Sequence, residues 1–403
     1  MPRPRRSGRP RERSDPARQG RGRRRRRDGV LQWGQSPDPE FKLAIAAVLK
    51  ACADAGIDPR DVDGFSSYSN DRSEASRLSA ALGCHQLSFA SMQWGGGGGG
   101  GSGAVANGAA AIATGQAECV VVFRALAQGQ FGRFGQGPRM RTVSGPAAHT
   151  LPFGLMSAAQ MFAMKVNRFM HDHGVEQDAL RAISLASYAH AQNNPRAVMY
   201  GRPLDAAMYD ESRWIVEPFH LFDCCQENDG AAAMVLVSAE RAKDFPHKAC
   251  FVLAAVSGSQ YRSGAPVHNT PEYASSSFTT VAPRLYDMAK VGPSDVDVLQ
   301  SYENFTGGVM MSIVEHGFCK PDEVNEFLTV DNLLAPSGTL PLNTSGGNLA
   351  ECYMHGLGLN IEAVRQVRGQ STSQVPDADV ALVASGPMVT PVSSSIFGSE
   401  ATL

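Results

Sequence analysis

Apolar and polar residues follow two recurring patterns along this chain of 403 residues. Residues 41–57 (FKLAIAAVLKACADAGI) repeat apolar residues with the helical period and reach a glycine at Gly56, which predicts an amphipathic helix. Residues 118–125 (ECVVVFRA) form instead a nearly continuous apolar run with β-branched residues, which is typical of a strand buried on both faces. Further segments of both kinds follow along the chain.

Strand and helix patterns alternate in two successive sets, and this alternation predicts an α/β fold. The first set starts near Phe41 and contains a long segment, residues 126–225, with two helical patterns and loop-like sequence before them. The second set starts with the strand pattern CFVLAAVSGSQ and closes with the strand patterns ADVALVASGPM and VSSSIF. We therefore predict an N-terminal half over residues 41–247, with 126–225 as an insertion, and a C-terminal half over residues 248–403.

A run of seven glycines at positions 95–101 lies between two predicted elements. The strand-like segment HQLSFASMQW precedes the run, and the small-residue helix GAVANGAAAIATG follows it. This placement favours a turn within a strand–turn–helix–strand unit over a linker between domains. Glycines at the N-terminus of a helix allow a ligand to approach the backbone closely and favour a negative charge there.

The charge of the chain is distributed unevenly. The formal net charge is −2, but residues 1–28 contain thirteen arginines against three acidic residues, so the remaining chain carries about −12. An acidic body argues against nucleic acid as the main partner. The arginine-rich head has almost no apolar residues, and we predict a disordered tail over residues 1–40. A nucleic-acid or membrane-binding arm, a transit peptide and a wrongly chosen start of translation are the alternatives for this segment.

Apolar content and cysteine spacing exclude several further classes. No window approaches the run of about 20 apolar residues that a membrane helix needs, so we predict no membrane span. The eight cysteines form no CxxC pair and no Cys/His metal spacing, and no secretory signal is visible, so we predict no metal site. Reduced, buried cysteines indicate a cytoplasmic protein.

Several stretches, taken together and in this order, resemble the thiolase superfamily over roughly residues 41–400. They are GAVANGAAAIATGQAECVVVF, MFAMKVNRFMHDHG with NNPRA, FDCCQENDGAAAMVLVSAERA, VDVLQSYENF and NTSGGNLAECYMHGLG. The pattern DCC…DGAAA is similar to that of the sterol-carrier or lipid-transfer type of thiolase. The resemblance implies a duplicated α/β/α/β/α sandwich with a helical and loop insertion, a homodimer, and a coenzyme A thioester as substrate with no other cofactor.

The positions that carry catalytic groups in thiolases hold other residues in this chain. By the resemblance, the nucleophilic cysteine falls near Gly98, the histidine of the GHP motif on Tyr353, and the first residue of the NEAF or HDCF motif on Tyr302. The late catalytic cysteine falls near VASGP, at Ala384 and Ser385. Loss of the cysteine removes the thiolate that carries an acyl group. Stabilisation of a thioester enolate by hydrogen-bond donors does not need that cysteine.

Enolate stabilisation also serves the retro-aldol cleavage of a β-hydroxyacyl-CoA, which requires no covalent intermediate. A phenol can give or take a proton when its pKa is tuned. The pattern resembles the thiolase-like aldolases of steroid side-chain degradation, whose paired tyrosines match Tyr302 and Tyr353 and which work with a small OB-fold partner protein. We predict Tyr302 and Tyr353 as the catalytic acid and base, in an order that stays open. The predicted substrate-binding residues are Gly98, Asn304, His355, Gly346, Gly347 and Gly386.

Two other functions remain as alternatives. The first is an acyltransferase that uses an unexpected cysteine such as Cys352, and the missing cysteine near Gly98 argues against it. The second is a non-catalytic lipid or acyl-CoA-binding scaffold subunit, and the paired tyrosines argue against that. Four basic residues are candidates for the coenzyme A phosphates or for a solvated surface: Arg133, Arg139, Lys165 and Arg168.

Overall fold

A computed structural model describes residues 31–32, 36–94, 96–131, 142–263 and 271–403 of the chain. The α-helices are α1 Glu40–Ala55, α2 Ala75–Leu82, α3 Gly100–Ala113, α4 Gln128–Phe131, α5 Ala158–His173, α6 Gln177–Asn193, α7 Ala206–Asp210, α8 Ala282–Ala289, α9 Thr306–Glu315, α10 Val324–Phe327, α11 Val330–Leu333 and α12 Leu357–Arg368. The strands are β1 Leu31–Gln32, β2 Gly64–Tyr68, β3 Phe89–Gln93, β4 Cys119–Ala127, β5 Trp214–Val216, β6 Phe219–His220, β7 Asn228–Val237, β8 Phe251–Gly258, β9 Val298–Ser301, β10 Val380–Ser385 and β11 Val392–Gly398.

The first sheet has five strands in the order β1-β7-β4-β2-β3. The strand β4 lies at its centre, parallel to β2 and antiparallel to β7, and all nine of its residues are buried. This confirms the prediction that ECVVVFRA is a strand covered on both faces. Its side chains alternate, because Val121 and Phe123 pack with α1 and α2 on one face while Val122 and Leu126 pack with α3 and α12 on the other.

The second sheet repeats the topology of the first with one strand fewer, in the order β8-β11-β10-β9. In the first sheet, β1 is antiparallel to β7, β7 is antiparallel to β4, and β4 is parallel to β2. In the second sheet, β8 is antiparallel to β11, β11 is antiparallel to β10, and β10 is parallel to β9. Where the first sheet has the strand β3, the second sheet has a single parallel bridge between Leu299 and Leu342. The duplication that the resemblance implies is therefore present in the strand topology.

Two helices, α3 and α12, lie between the sheets. The helix α3 contacts β2, β3, β4 and β7 on one side and β8, β10 and β11 on the other, while α12 contacts β7, β9, β10 and β11. The helix α1 covers the outer face of the first sheet, and α8 covers part of the outer face of the second. The layers thus run α/β/α/β/α, and each central helix follows a glycine turn.

The helix α3 approaches both sheets closely because its residues are small. A side-chain carbon added at Gly100 would overlap Tyr68, and one added at Gly103 would overlap Gln93. On the side of the second sheet, the Ser102 hydroxyl lies 2.9 Å from the Ser385 hydroxyl and 3.0 Å from that of Ser395. Hydroxyl pairs of this kind satisfy buried polar groups where two backbones come close together.

A second glycine turn, at Gly346 and Gly347, is followed by an irregular segment and not by one continuous helix. Residues Gly347–Glu351 form a π-helical turn, Cys352 is extended, and α12 begins only at Leu357. His355 and Gly356 both have positive φ, at 55° and 88°, which breaks the helical path. Tyr353 therefore lies on an irregular connection between two helical segments.

The long segment at residues 126–225 packs against the second half. The helix α5 begins with a capping box between Ser157 and Gln160 and ends at Gly174, and both α5 and α6 contact α9. Of the predicted tail, residues 1–30 and 33–35 lie outside the described residues, whereas Leu31 and Gln32 pair with the start of β7. Along the described part of the chain, no helix has the length and apolar character needed to cross a bilayer.

Candidate active site

Tyr302 and Tyr353 meet in the interior, between the second sheet and the glycine turn that precedes α3. Tyr302 follows β9 and donates its backbone N–H to the carbonyl of Ala384, which extends the pairing with β10. Tyr353 donates its backbone N–H to the Asn228 side chain at 2.7 Å. The two phenolic oxygens lie 2.7 Å apart, and both rings are buried. This pairing of two hydroxyls brings together the two residues predicted as catalytic.

The ring of Tyr302 occupies the space beside Gly98. A side-chain carbon added at Gly98 would overlap the ring and lie 2.5 Å from its hydroxyl oxygen, and one added at Gly356 would overlap the ring from another side. The sequence alone predicts that the space at Gly98 admits a ligand. The structure fills it with a protein side chain, so the glycine is needed to admit Tyr302.

Burial raises the pKa of both phenols well above their usual value. For Tyr302 the neighbouring Tyr353 adds to this increase, both through its charge and through their hydrogen bond. For Tyr353 the same hydrogen bond and the positive charge of Arg124 oppose the increase, although burial still dominates the pKa. The surroundings of Tyr353 therefore tolerate negative charge on its oxygen better than those of Tyr302 do.

His355 lies beside Tyr353 and is bonded to residues of the first half. Its Nδ1 accepts a hydrogen bond from Nε of Arg124 at 3.1 Å, and its backbone carbonyl accepts one from the Tyr68 hydroxyl at 2.8 Å. Arg124 in turn forms a fully buried ion pair with Asp71 at 2.8 Å. Burial and the charge of Arg124 lower the pKa of His355 well below its usual value, so the imidazole is neutral.

Two further buried groups are Glu303, which follows Tyr302 in the chain, and Cys225, which interacts with both tyrosines. Burial raises the pKa of Glu303 to about 8, and its Oε2 accepts the backbone N–H of Asn348 at 3.0 Å. Burial also raises the pKa of the Cys225 thiol well above its usual value, and Cys225 is among the groups that raise the pKa of both tyrosines. The surroundings of the pair therefore favour uncharged side chains.

The other predicted substrate-binding residues support the backbone around this site. The Asn304 side chain accepts the N–H of Phe305 at 2.8 Å at the start of α9. Gly346 and Gly347 have positive φ in the second glycine turn, and a side-chain carbon at Gly347 would overlap the Glu303 carboxyl group. Gly386 packs against the backbone of Gly99. The geometry gives these residues packing contacts within the protein.

The candidate basic residues for coenzyme A divide into three cases. Lys165 is buried, with Nζ 3.4 Å from the carbonyl of Ser275, and burial lowers its pKa, so it does not face solvent. Arg168 is exposed and pairs with Asp172 at 2.6 Å. Arg133 and Arg139 lie outside the described residues.

Seven of the eight cysteines have a thiol whose pKa is raised by burial. All eight carry free thiols, and burial raises the pKa of Cys224, Cys250 and Cys319 to about 12. A thiol with a raised pKa is a poor nucleophile at neutral pH. Among the described residues, no group of three His, Cys, Asp or Glu side chains is placed to hold a metal ion.

Sequence reasoning missed Arg124 and Asp71. The signal for Arg124 is its position within the apolar run ECVVVFRA, because an arginine in a strand buried on both faces must have a buried partner. Asp71 follows β2 at the same end of the sheet and supplies that partner. No feature of the sequence alone links this pair to His355, which lies 231 positions further along the chain than Arg124.

Comparison with known proteins identifies the family of this chain. Residues 259–399 match the family described as Thiolase C-terminal domain-like. The chain is 40% identical over 373 residues to the steroid side-chain-cleaving aldolase of Thermomonospora curvata, covering 90% of this chain and 93% of that protein. It is 36% identical to the 17-hydroxy-3-oxo-4-pregnene-20-carboxyl-CoA lyase of Mycobacterium tuberculosis, covering 89% of this chain and 94% of that protein.

Solved structures extend the comparison to three dimensions. The Ltp2-ChsH2(DUF35) aldolase superposes with a TM-score of 0.85 at 38% identity, covering 93% of this chain and 97% of that chain. Human mitochondrial 3-ketoacyl-CoA thiolase superposes with a TM-score of 0.66 at 13% identity over 93% of this chain and 96% of that chain, which shows the shared fold. The chain therefore belongs to the thiolase superfamily, in the sterol-carrier-type branch that contains the steroid side-chain-cleaving aldolase.

Proposed function

We propose that this protein is a retro-aldolase that cleaves the bond between the α- and β-carbons of a β-hydroxyacyl-coenzyme A thioester. The observation that carries the proposal is the hydrogen-bonded pair Tyr302 and Tyr353, whose phenolic oxygens lie 2.7 Å apart beside Gly98. Two adjacent hydroxyls can move a proton, whereas a glycine in place of the thiolase cysteine cannot carry an acyl group.

We propose that the pair acts as a proton relay between two neutral phenols. The β-hydroxyl of the substrate gives its proton to Tyr353, Tyr353 gives its own proton to Tyr302, and Tyr302 protonates the α-carbon. These transfers occur in one concerted step with the breaking of the bond between the α- and β-carbons, whose electron pair is delocalised into the thioester while the α-carbon takes up the proton from Tyr302, so neither phenol holds an extra proton. Each tyrosine gains one proton and loses one, so the enzyme returns to its starting state.

The pKa directions support this order. Burial raises the pKa of both phenols well above its usual value, which favours a relay between neutral phenols over a permanently ionised phenolate. The positive charge of Arg124 opposes the increase in the pKa of Tyr353, so the Tyr353 oxygen better tolerates the negative charge that develops as its proton passes to Tyr302.

The relatives indicate the class of substrate. The lyase of Mycobacterium tuberculosis is named for a steroid with a hydroxyl on carbon 17 and a thioester at carbon 20. Retro-aldol cleavage between those carbons yields a 17-ketone and propanoyl-CoA. We propose a steroid side-chain thioester of this kind as the substrate of the present protein, with coenzyme A bound as part of the substrate.

We propose two assemblies for this chain. The name of the Ltp2-ChsH2(DUF35) aldolase supports a second protein as partner, and we propose a small partner of the OB-fold type. A homodimer is supported by β3, because within the described residues this strand pairs only with β2 and is followed by Trp94, which is 74% exposed. Light scattering of the purified chain, alone and with its partner, tests both assemblies.

The decisive experiment separates cleavage from enolate formation. The protein and its partner are given a 17-hydroxysteroid 20-carboxyl-CoA, and release of ketone and propanoyl-CoA is measured. Exchange of the α-protons of propanoyl-CoA in D2O is measured in parallel. Tyr302→Phe should lose the exchange, and Tyr353→Phe should retain more of the exchange while losing cleavage. Cleavage at the wild-type rate in either variant would refute the relay.

A further inference from the structure

The strand β7 has one edge that is only partly paired. On one side, β7 pairs with β4 at nine consecutive positions, from Asp229 to Val237. On the other side, it pairs with β1 at Asn228 and Asp229, and with no other strand of the described residues. The outward backbone N–H and C=O groups of residues 230–237 therefore have no strand partner in the part of the chain that the structure describes. An edge of this kind can pair with an added strand.

The second sheet shows that a longer strand fits at the corresponding place. There β11 takes the position of β7, and β8 takes the position of β1. The strand β8 pairs with β11 at seven positions between Phe251 and Gly258. Because the two sheets share one topology, the space beside β7 corresponds to a space that holds seven paired residues in the second sheet. Seven extended residues span roughly 23 Å.

A groove of about 370 Å³ lies beside this edge. The β7 segment 231–236 lines it, and so do Ile361 and Val364 of α12. Three alanines spaced four residues apart, and therefore on one face of the helix, line it from α1: Ala47, Ala51 and Ala55. The small and apolar lining leaves room for an extended backbone and for apolar side chains.

The groove also has an excess of positive charge. Four cationic side chains line it, against the two carboxylates of Asp54 and Glu351. The cationic residues are Lys50, Arg196, Arg365 and Arg368. Among the described residues, the nearest carboxylate oxygens lie 3.4 Å from Arg368, 3.5 Å from Arg365 and 3.9 Å from Arg196. These distances exceed the roughly 2.7–2.9 Å of a close charged hydrogen bond, so the guanidinium groups favour a ligand that brings carboxylates.

The two sides of the edge differ in chemistry. Successive residues of β7 face opposite sides, because Ala231 and Val235 pack in the cluster of α1, whereas Ala232 and Leu236 pack in the cluster of α12. A strand paired with β7 alternates in the same way. Its side chains therefore meet the alanines of α1 at every second position and the arginines of α12 at the positions between.

The residues that precede β1 do not have this chemistry. Leu31 pairs with Asp229, so in the same register residues 23–30 would lie opposite residues 230–237. Residues 23–27 are five consecutive arginines. Bringing them into a groove that already has an excess of guanidinium charge is unfavourable, because like charges repel strongly where water is excluded. The charge therefore favours a segment from another molecule.

We propose that the edge of β7 is a docking site for an extended segment of a partner protein, about seven residues long, in which apolar residues alternate with glutamates or aspartates. Main-chain hydrogen bonds to β7 supply affinity, the apolar side chains pack on the alanines of α1, and the carboxylates pair with Arg365 and Arg368. This docking site goes beyond the retro-aldol function and does not depend on it.

Peptide binding to the full chain tests the proposal. The probe is a fluorescein-labelled heptapeptide in which four valines alternate with three glutamates, and fluorescence anisotropy measures its Kd. Replacing the glutamates by lysines should weaken binding at least about tenfold, because the charges then repel. Replacing the central glutamate by proline should also weaken binding at least about tenfold, because proline cannot donate a backbone hydrogen bond. Equal binding of the three peptides, or no binding of the first, overturns the proposal.

Two matched substitutions on α1 locate the peptide. Ala51→Trp places a large side chain in the groove, whereas Ala46→Trp places the same side chain at an exposed position of α1 that does not line it. We expect Ala51→Trp to raise the Kd of the heptapeptide at least about tenfold and Ala46→Trp to leave it unchanged. Far-ultraviolet circular dichroism checks that both variants keep the fold. The same Kd for both variants overturns the proposed location.

Hydrogen exchange distinguishes a partner segment from coverage by the chain itself. About half of the amide hydrogens of residues 230–237 point away from β4 in an antiparallel pair. In the wild type alone, these amides should exchange at least about tenfold faster than those of β4, and the heptapeptide should slow them. Slow exchange of all amides of residues 230–237 without the peptide shows that the edge is already covered, and overturns the proposal.

Discussion

Two residues at the centre of the site depend on each other. Tyr302 has a ring where thiolases are expected to have a smaller asparagine or histidine, and Gly98 has no side chain where they have a cysteine. The ring of Tyr302 fits only because Gly98 and Gly356 leave space for it. A change from acyl transfer to carbon–carbon cleavage therefore needs both residues, since either change alone leaves an overlap or a cavity.

Because the two hydroxyls act in one relay, the losses of kcat on removing each of them should not be additive. We expect Tyr302→Phe and Tyr353→Phe each to lower kcat about 10²- to 10⁴-fold, and the double variant to lose little more than either single variant. Steady-state kinetics of the three variants measure this. Tyr286→Phe on the outer helix α8 is the control, because its half-buried hydroxyl donates a hydrogen bond to the His316 carbonyl at 2.8 Å, and kcat should be unchanged there. Independent losses that multiply would contradict the relay.

The raised pKa values of the tyrosines lead to a second expectation, for the pH profile. Both phenols stay protonated near neutral pH, so a neutral relay predicts that kcat/KM changes little between about pH 6 and about pH 7.5. That window lies below the pKa of about 8 of Glu303, so Glu303 does not obscure the result. A tenfold rise in kcat/KM per pH unit would indicate a phenolate base instead.

Glu303 should make stability depend on pH. Its folded-state pKa of about 8 exceeds the ordinary value of 4.5, so its contribution to stability is complete below about pH 4.5 and is lost as pH rises towards about 8. Glu303→Gln should remove this dependence, which amounts to at most about 1.4 kcal/mol per pH unit. Urea unfolding across this range measures the difference. The exposed Glu326→Gln is the control, and an equal pH slope for the wild type and Glu303→Gln would contradict the assignment.

At the scale of elements, the sequence predicts most helices and strands because their apolar periodicity is strong. The helix predicted for 41–57 is observed as α1, and the strand predicted from ECVVVFRA is observed as β4. The irregular segment around Tyr353 was not predicted, because positive φ at His355 depends on the hydrogen bond between its carbonyl and Tyr68. Contacts between distant segments, such as Arg124 with His355, leave no periodic signal.

The entrance of α3 offers a test of this element. Gly98→Ala should displace the Tyr302 ring, lower kcat by at least about 10²-fold and cost about 1–3 kcal/mol of stability. Gly358→Ala in α12 is the matched control, since the added carbon meets nothing within 4 Å and should stabilise the helix by about 0.5–1 kcal/mol. Activity assays and thermal unfolding measure both variants. A fully active Gly98→Ala would contradict the fit of Tyr302 against Gly98.

The whole molecule is two copies of one topology that share a central layer. The site draws Gly98, Arg124 and Asp71 from the first copy and Tyr302 and His355 from the second. The boundary between the two halves at residues 247 and 248 stays a prediction. The helix α3 packs against both sheets and therefore joins the two halves.

The two halves should not fold independently. Separated from residues 248–403, α3 would expose the face that contacts β8, β10 and β11, together with buried hydroxyls such as that of Ser102. We expect the full chain to unfold in urea as one transition, and a fragment of residues 41–247 to show no cooperative transition. Circular dichroism and fluorescence, recorded on the same samples, measure this. Two separate transitions in the full chain would contradict it.

The close packing of α3 also constrains how this enzyme can evolve. Its first residues are buried without a break from Gly100 to Val105, and a larger side chain at Gly100 or Gly103 would overlap a neighbour in the first sheet. Changes in substrate preference are therefore expected from substitutions in other segments of the chain, which tolerate them. In a saturation-mutagenesis library, the start of α3 should accept almost no alternatives, while the exposed Ala110 near its end accepts many.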